Sequence, residues 1–214
     1  MAVTVRPYPK GQKNFWAGDI DYDADPIHVA LLNSSGVFDD THEFLSSVIA
    51  NEVTGTGYSA GGVALASKTN THTDSSALTA WAASTPYVAG DVRRATTDNG
   101  HVFRATVAGT SHSAEPTWQT GTLRETVEGG GTVRWVEFGA GIVVISAANP
   151  SWGPGASITG IRYGVIYERQ SGTDATRMLI AHLDFGQTEQ VSNGTFTITI
   201  PATGILRAGL GSPT

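Results

Sequence analysis

Ile158-Thr-Gly-Ile-Arg-Tyr-Gly-Val-Ile-Tyr-Glu168 sets Ile161, Tyr163, Val165 and Tyr167 at every second position, alternating with Arg162, Gly164, Ile166 and Glu168. Successive side chains of a strand point to opposite faces, so a period of two predicts a strand with one face inward. Thr195-Phe-Thr-Ile-Thr-Ile200 repeats the pattern, with Phe196, Ile198 and Ile200 facing a core and three threonines facing out. Working outward, Ile27-His-Val-Ala-Leu-Leu32 follows Pro26 as a compact apolar run, and residues 63–66, 142–146 and 178–185 read as further strands. Neither half of this set closes a sandwich alone. The fold class expected is therefore all-β: a β-sandwich scaffold with one short helix, interrupted by a small β-rich inserted module.

The short helix is expected after Asp40, which can cap, with Glu43 three positions on and Phe44, Leu45, Val48 and Ile49 on one face; it should end near Asn51. Residues 1–14 carry Pro7, Pro9 and Gly11 without periodicity and read as an extended arm that packs on a neighbouring subunit. Glycines 55, 57, 61 and 62 imply tight backbone geometry or close approach between chains. Between Lys68 and Leu78 the composition turns polar, as in a linker. The scaffold is then residues 15–70 and 140–214, and residues 78–139 form the module, with Trp81, Trp118, Trp135 and a hairpin-like stretch from Glu128 to Phe138.

Composition narrows the function. The chain of 214 residues carries 13 Lys+Arg against 19 Asp+Glu, with the arginines scattered rather than gathered in a stripe, so nucleic acid is not an expected partner. There is no cysteine, hence no disulfide framework or thiolate site. No run approaches the roughly 18 apolar residues of a membrane span, and membrane insertion is not expected. Asp19, Asp21, Asp23 and Asp25 alternate as calcium ligands can, but the spacing lacks a helix-loop-helix site's glycine and distal glutamate, and a solvated turn is the simpler account. The six histidines show no ligand spacing, and neither metal nor cofactor is expected. No nucleophile elbow or phosphate loop is present, and carboxylate pairs such as Asp39 with Asp40 or Glu125 with Glu128 occur in any acidic chain. The expectation is a protein that is not an enzyme.

Several ordered stretches carry a resemblance: residues 18–32, His42-Glu-Phe-Leu45, residues 52–62, Gly164-Val-Ile-Tyr167, residues 179–186 and Asn193-Gly-Thr-Phe-Thr-Ile198. Together they resemble a family of tailed-bacteriophage virion structural proteins, of the capsid-decoration or tail-accessory type. The insert, through Trp81-Ala-Ala-Ser-Thr-Pro-Tyr87, Gly90-Asp-Val92, residues 101–106, Ala108-Gly-Thr-Ser111, Glu115-Pro-Thr-Trp118 and Gly131-Thr-Val-Arg-Trp135, resembles the small aromatic-rich modules of phage tail and surface proteins, and its opening, a Trp, a Tyr and a Gly-Asp-Val turn before an aromatic strand, is similar to small chitinase-type carbohydrate-binding modules. The first resemblance implies a particle-surface protein assembled in the host cytoplasm, on a major capsid or tail protein, as a homo-oligomer such as a trimer. A capsid decoration or cement role is the leading placement, and a tail or fibre accessory in host-surface adsorption is the alternative. The second implies contact with cell-surface polysaccharide.

A sugar ring's C–H face stacks on exposed aromatic rings, which makes Trp118, Tyr87, Trp81 and Trp135 the candidate glycan contacts. A small module also needs tryptophan for its core, a demand that falls first on Trp81 and Trp135. Candidate assembly contacts come from the arm and the Gly-rich turn: Tyr8, Phe15, Trp16, Gly55, Gly57 and Tyr58.

Overall fold

The computed structural model describes residues 3–121, 124–170 and 172–209. In chain order it runs through β1 (Thr4–Pro7), α1 (Pro9–Ala17), β2 (Ile27–Leu32), β3 (Gly55–Thr56), β4 (Val63–Ala64) and β5 (Thr69–Asp74). Next come β6 (Pro86–Tyr87), β7 (Val92–Arg94), β8 (Val102–Val107), β9 (Gly109–Thr110), β10 (Glu125–Val127), β11 (Arg134–Gly139) and β12 (Gly141–Ser146). Two long strands, β13 (Ser151–Glu168) and β14 (Leu179–Thr197), and the short β15 (Leu206–Gly209) complete it. The protein is all-β and sandwich-like, with one α-helix among the described residues. Two compact units divide the chain: Met1–Asn70 with Ile145–Leu206, and Thr71–Val144 with Arg207–Thr214.

The first unit is organised by one sheet in the order β1-β14-β13-β2-β4, with β3 also pairing β13. Ile166 lies opposite both Val29 and Ala181, and Val165 opposite both Ala30 and His182. The first set belongs to a core cluster with Ile27, Leu31, Ile158, Phe196 and Ile198. Val165 and Ala30 belong to a second cluster with Tyr8, Leu32, Leu45, Val48 and Leu179. The sheet is thus buried on both faces from Gly164 to Glu168, and the expectation of a single inward face is overturned there. Period two identified the strand but not its surroundings, because Tyr8, Leu45 and Val48 cover the second face from outside it. At the far end of β14 and just beyond it the alternation holds: Phe196, Ile198 and Ile200 are buried and the threonines between them exposed, although the strand itself ends at Thr197.

The N-terminal arm is not an extended free segment. β1 pairs with β14, and α1 follows, with Pro9 in its first turn and Gly18 ending it at φ 79°. Proline in the first turn of a helix lacks only a donor the helix leaves unpaired anyway, and glycine after the last turn adopts the left-handed conformation cheaply. Pro9, which suggested an arm, thus opens a helix, and Gly11 lies buried within it. Conversely, no α-helix follows Asp40: Leu45–Ser47 and Ile49–Asn51 are single 3-10 turns. Backbone bonds to the start of β14 replace the helical ones, since Leu45 N–H donates to Arg177 O at 2.8 Å and Leu179 N–H to Glu43 O at 2.9 Å. Glu43 pairs with Lys10 at 3.3 Å instead of capping.

The expected linker also differs, because Thr69–Asp74 forms β5, at the edge of a three-stranded sheet ordered β15-β12-β5. Its threonines fit a pleated strand despite their polarity. The remainder of the second unit is a four-stranded sheet, β10-β11-β8-β7, and the pair β6-β9. β10 and β11 are the arms of the hairpin read around Glu128–Phe138.

Candidate functional site

The second unit's core is aromatic: Trp81, Tyr87, Phe103 and Trp135 are buried with Ala105 and Val133, and Trp118 packs against them partly exposed. At its centre is a carboxylate. Glu128 is only 2% exposed, and its Oε1 accepts the indole N–H of Trp135 at 2.7 Å and that of Trp81 at 3.0 Å. Oε2 accepts the His112 backbone N–H at 2.6 Å. Buried polar groups must find partners, and here one carboxylate satisfies three donors from three segments.

This geometry corrects three of the four glycan candidates. Trp81 and Trp135 face inward with their N–H groups committed to Glu128, and Tyr87 is 3% exposed, stacked edge-on against Trp135 at 4.9 Å with its hydroxyl accepting from Ala82 N–H. None can offer a ring face to a sugar. Trp118 differs. It lies parallel to Phe103 at 4.2 Å and donates its indole N–H to Glu115 Oε1 at 2.8 Å, an oxygen that also accepts Thr96 N–H at 2.7 Å. Burial pushes the Glu115 carboxyl up, but the hydrogen bonds from Thr96 and Trp118 outweigh it and hold it below its ordinary value. Trp118 is therefore a fixed, partly exposed platform.

The assembly candidates divide similarly. Tyr8 is fully buried against Phe38, so it serves the fold. Gly55 and Gly57 approach backbone of their own chain: a Cβ on Gly55 would meet Ser157 O at 2.3 Å, and one on Gly57 would meet Ala156 Cα at 3.0 Å. Their close approach is within the chain, because β3 pairs β13 there. Tyr58 is half-buried, its hydroxyl donating to Glu52 at 2.6 Å and accepting from Leu31 N–H at 2.9 Å. Phe15 packs on the first core from α1. Only Trp16 is free, 75% exposed at the end of α1.

The remaining constellations are absorbed locally. Asp21 Oδ1 accepts the N–H groups of Asp23 and Ala24, and Asp25 Oδ2 that of Asp21, so the aspartates build a turn. Among the described residues no group of three or more His, Asp or Glu is arranged to hold a metal. No helix of the described residues is long and apolar enough to cross a membrane. Glu125 pairs with Arg134 at 3.7 Å, and Glu128 is enclosed, so that carboxylate pair has no access to substrate. His182 is buried with Nε2 at 2.8 Å from Gly36 O, and burial holds its imidazole below the ordinary value.

Sequence reasoning missed the roles of Glu128 and Glu137. The latter is buried beside His101, 2.6 Å from its Nδ1. A glutamate beside Gly129-Gly130-Gly131 reads as a solvated turn; the available signal was the excess of indole donors within one small module. No family model, curated protein or solved structure matches the chain.

Proposed function

We propose that this chain is a non-enzymatic structural protein of a tailed-phage particle, a capsid decoration or cement protein that attaches to the particle surface as a homo-oligomer, such as a trimer. The observation that carries this is Trp16, the most exposed large apolar side chain among the described residues, standing on a helix anchored to the first unit's sheet. Tryptophan is enriched where protein interfaces concentrate their binding energy, and a ring left in water is what a partner surface would cover. The ordered likeness of the first unit's segments to phage virion proteins supplies the kind of partner, a major capsid protein. The test is reconstitution on particles lacking the protein. Wild-type chain should bind at saturable stoichiometry and raise particle thermal stability, while Trp16→Ala should bind at least ~10-fold more weakly, as for a central interface tryptophan. Failure of wild-type chain to bind heads would refute the decoration role.

Trp118 favours a second reading, in which the protein is a tail or fibre accessory contacting cell-surface polysaccharide. A partly exposed indole braced by Phe103 and oriented by Glu115 is suited to stacking on a sugar's C–H face. Trp118→Ala should then abolish binding to host-cell polysaccharide while leaving head binding intact; unchanged polysaccharide binding would exclude this role.

A further inference from the structure

The second unit treats its two signs of charge unequally. The buried carboxylate of Glu128 receives only indole and backbone N–H groups, whereas several of the unit's arginines have no carboxylate among the described residues. Arg104 and Arg207 are the extreme cases. Neither forms an ion pair among the described residues, and the Nε atom of each is buried with no hydrogen-bond partner. Arg177 in the first unit also has an unpaired Nε, but its guanidinium is neutralised by Asp174 at 2.7 Å.

Two independent constraints bring Arg104 and Arg207 together. In β7 and β8, Val92 lies opposite Arg104, and Gly90 N–H donates to Ala105 O at 2.8 Å, so residues 90–92 run beside residues 104–105. Arg207, arriving on β15, donates to Gly90 O at 3.2 Å and so reaches the same place. Separately, the Arg104 guanidinium lies 4.9 Å over the Phe138 ring, while the backbone of Gly209, two residues beyond Arg207, lies so close to Phe138 that a Cβ there would collide with its carbonyl. Asp91 is the nearby acid, but its Oδ2 is taken by Val88 N–H at 3.0 Å. Arg93, stacked over Tyr87 at 5.0 Å and bonded to Val92 O, adds a further positive charge to the same strand pair. Burial, together with the charges of Arg104 and Arg93, holds the Arg207 pKa down against the opposing charge of Asp91, the direction expected where cations outnumber the nearby acid.

We infer that Arg104 and Arg207, with Phe138 as their apolar floor, form a binding site for an oxyanion, either the carboxylate of an acidic sugar or an inorganic phosphate or sulfate group. Each guanidinium offers a planar fork of N–H donors that matches two oxygens of such a group, and neither has a carboxylate ion-paired to it among the described residues. Bringing in one anion also relieves the repulsion between the two cations. The site is distinct from Trp118 and independent of the particle-attachment role.

The test uses the full chain, titrated with sodium glucuronate, inorganic phosphate and inorganic sulfate, with chloride and glucose as controls at matched ionic strength. Calorimetry and the shift in melting temperature are read together. Saturable binding by glucuronate alone assigns the site to acidic sugar, and by phosphate or sulfate alone to the inorganic group; either supports it. Arg104→Gln and Arg207→Gln should each weaken binding about tenfold or more. Arg134→Gln, an exposed arginine in the same unit paired to Glu125, should leave it unchanged. No saturable effect of any of the three anions beyond that of chloride overturns the inference, as does an equal loss in Arg134→Gln. The Arg104 Nε–H has no hydrogen-bond partner among the described residues, so Arg104→Gln breaks no bond there and keeps the comparison decisive if Arg207→Gln fails to fold.

Discussion

The two units solve the problem of burial differently. In the first, aliphatic side chains on β2, β13 and β14 fill both faces of one sheet, and the backbone ladders satisfy most buried polar groups without further help. In the second, strands are short and the core rests on indoles whose N–H groups demand acceptors, so charged residues enter the interior: Glu128 and Glu137 are each 2% exposed. A long sheet spreads its stability over many interchangeable contacts. A small module concentrates it in a few polar atoms, where each loss leaves several groups unpaired.

The largest effect should come from Glu128→Ala, which strands two indole donors and a backbone N–H. At roughly 1–3 kcal/mol for each unsatisfied buried group, a loss of about 4 kcal/mol is expected, confined to the second unit. Glu128→Gln, which keeps one acceptor oxygen, should lose less. Urea unfolding followed by tryptophan fluorescence checks both, since Trp81, Trp118 and Trp135 all lie in this unit. If Glu128→Ala unfolds the whole chain in a single transition, the picture of two separately stabilised cores breaks.

Next in size, Leu31→Ala should cost about 3 kcal/mol through the cavity it leaves, and should lower the first unit's transition while sparing the second's. A uniform shift of both transitions in circular dichroism melts would argue against the division.

Acid should act on the units in sequence. His182 and His28, both in the first unit, are held by burial below the ordinary imidazole value of 6.5, so the folded form resists a proton the unfolded form accepts. Their stabilisation is complete above pH 6.5 and is lost as pH falls below it. Glu168, pushed up by burial, works the other way: its contribution is present below the ordinary carboxyl value of 4.5 and is lost as pH rises through its folded value. In the second unit Glu115, held low, contributes stability that persists until pH falls below 4.5. The first unit should therefore soften between pH 6.5 and 4.5 while the second does not, and His182→Gln should flatten that slope. Melts across this range decide it.

The smallest effect on folding should be that of Trp16→Ala, within about 0.5 kcal/mol, because the ring contacts mostly water. A larger thermal destabilisation would mean that the side chain serves the fold and not an interface.

Legibility in the sequence followed the same division. Ile27–Leu32 was readable as a compact apolar run, and the alternation at Phe196, Ile198 and Ile200 because an extended chain's own period records which face is covered. What covers the second face of β13 was not, since Tyr8, Leu45 and Val48 reach it from distant segments whose local pattern suggested an arm and an α-helix. Pro9 was ambiguous for a physical reason: a proline that breaks a helix in its middle begins one well. At the candidate site, counting aromatics located the second unit's core, but composition could not separate a buried ring from an exposed one. The core's demand for indoles singled out Trp81 and Trp135, which are buried, but Trp118 stands apart from Tyr87, and Trp16 from Tyr8, only in three dimensions.

The sharing of Glu128 by Trp81 and Trp135 makes these three positions interdependent under mutation. Losing either indole leaves a carboxylate that is still needed by the other, and losing the carboxylate leaves both indoles without an acceptor. Each single change is therefore harsher than its share of a combined change, and a double-mutant cycle between Trp81 and Trp135 should be non-additive although each ring makes its own bond. Sequences descending from this one would cross a valley one step at a time, whereas exchanging the whole trio for apolar packing would strand only the His112 N–H. The module's core is in this sense inherited as a single character.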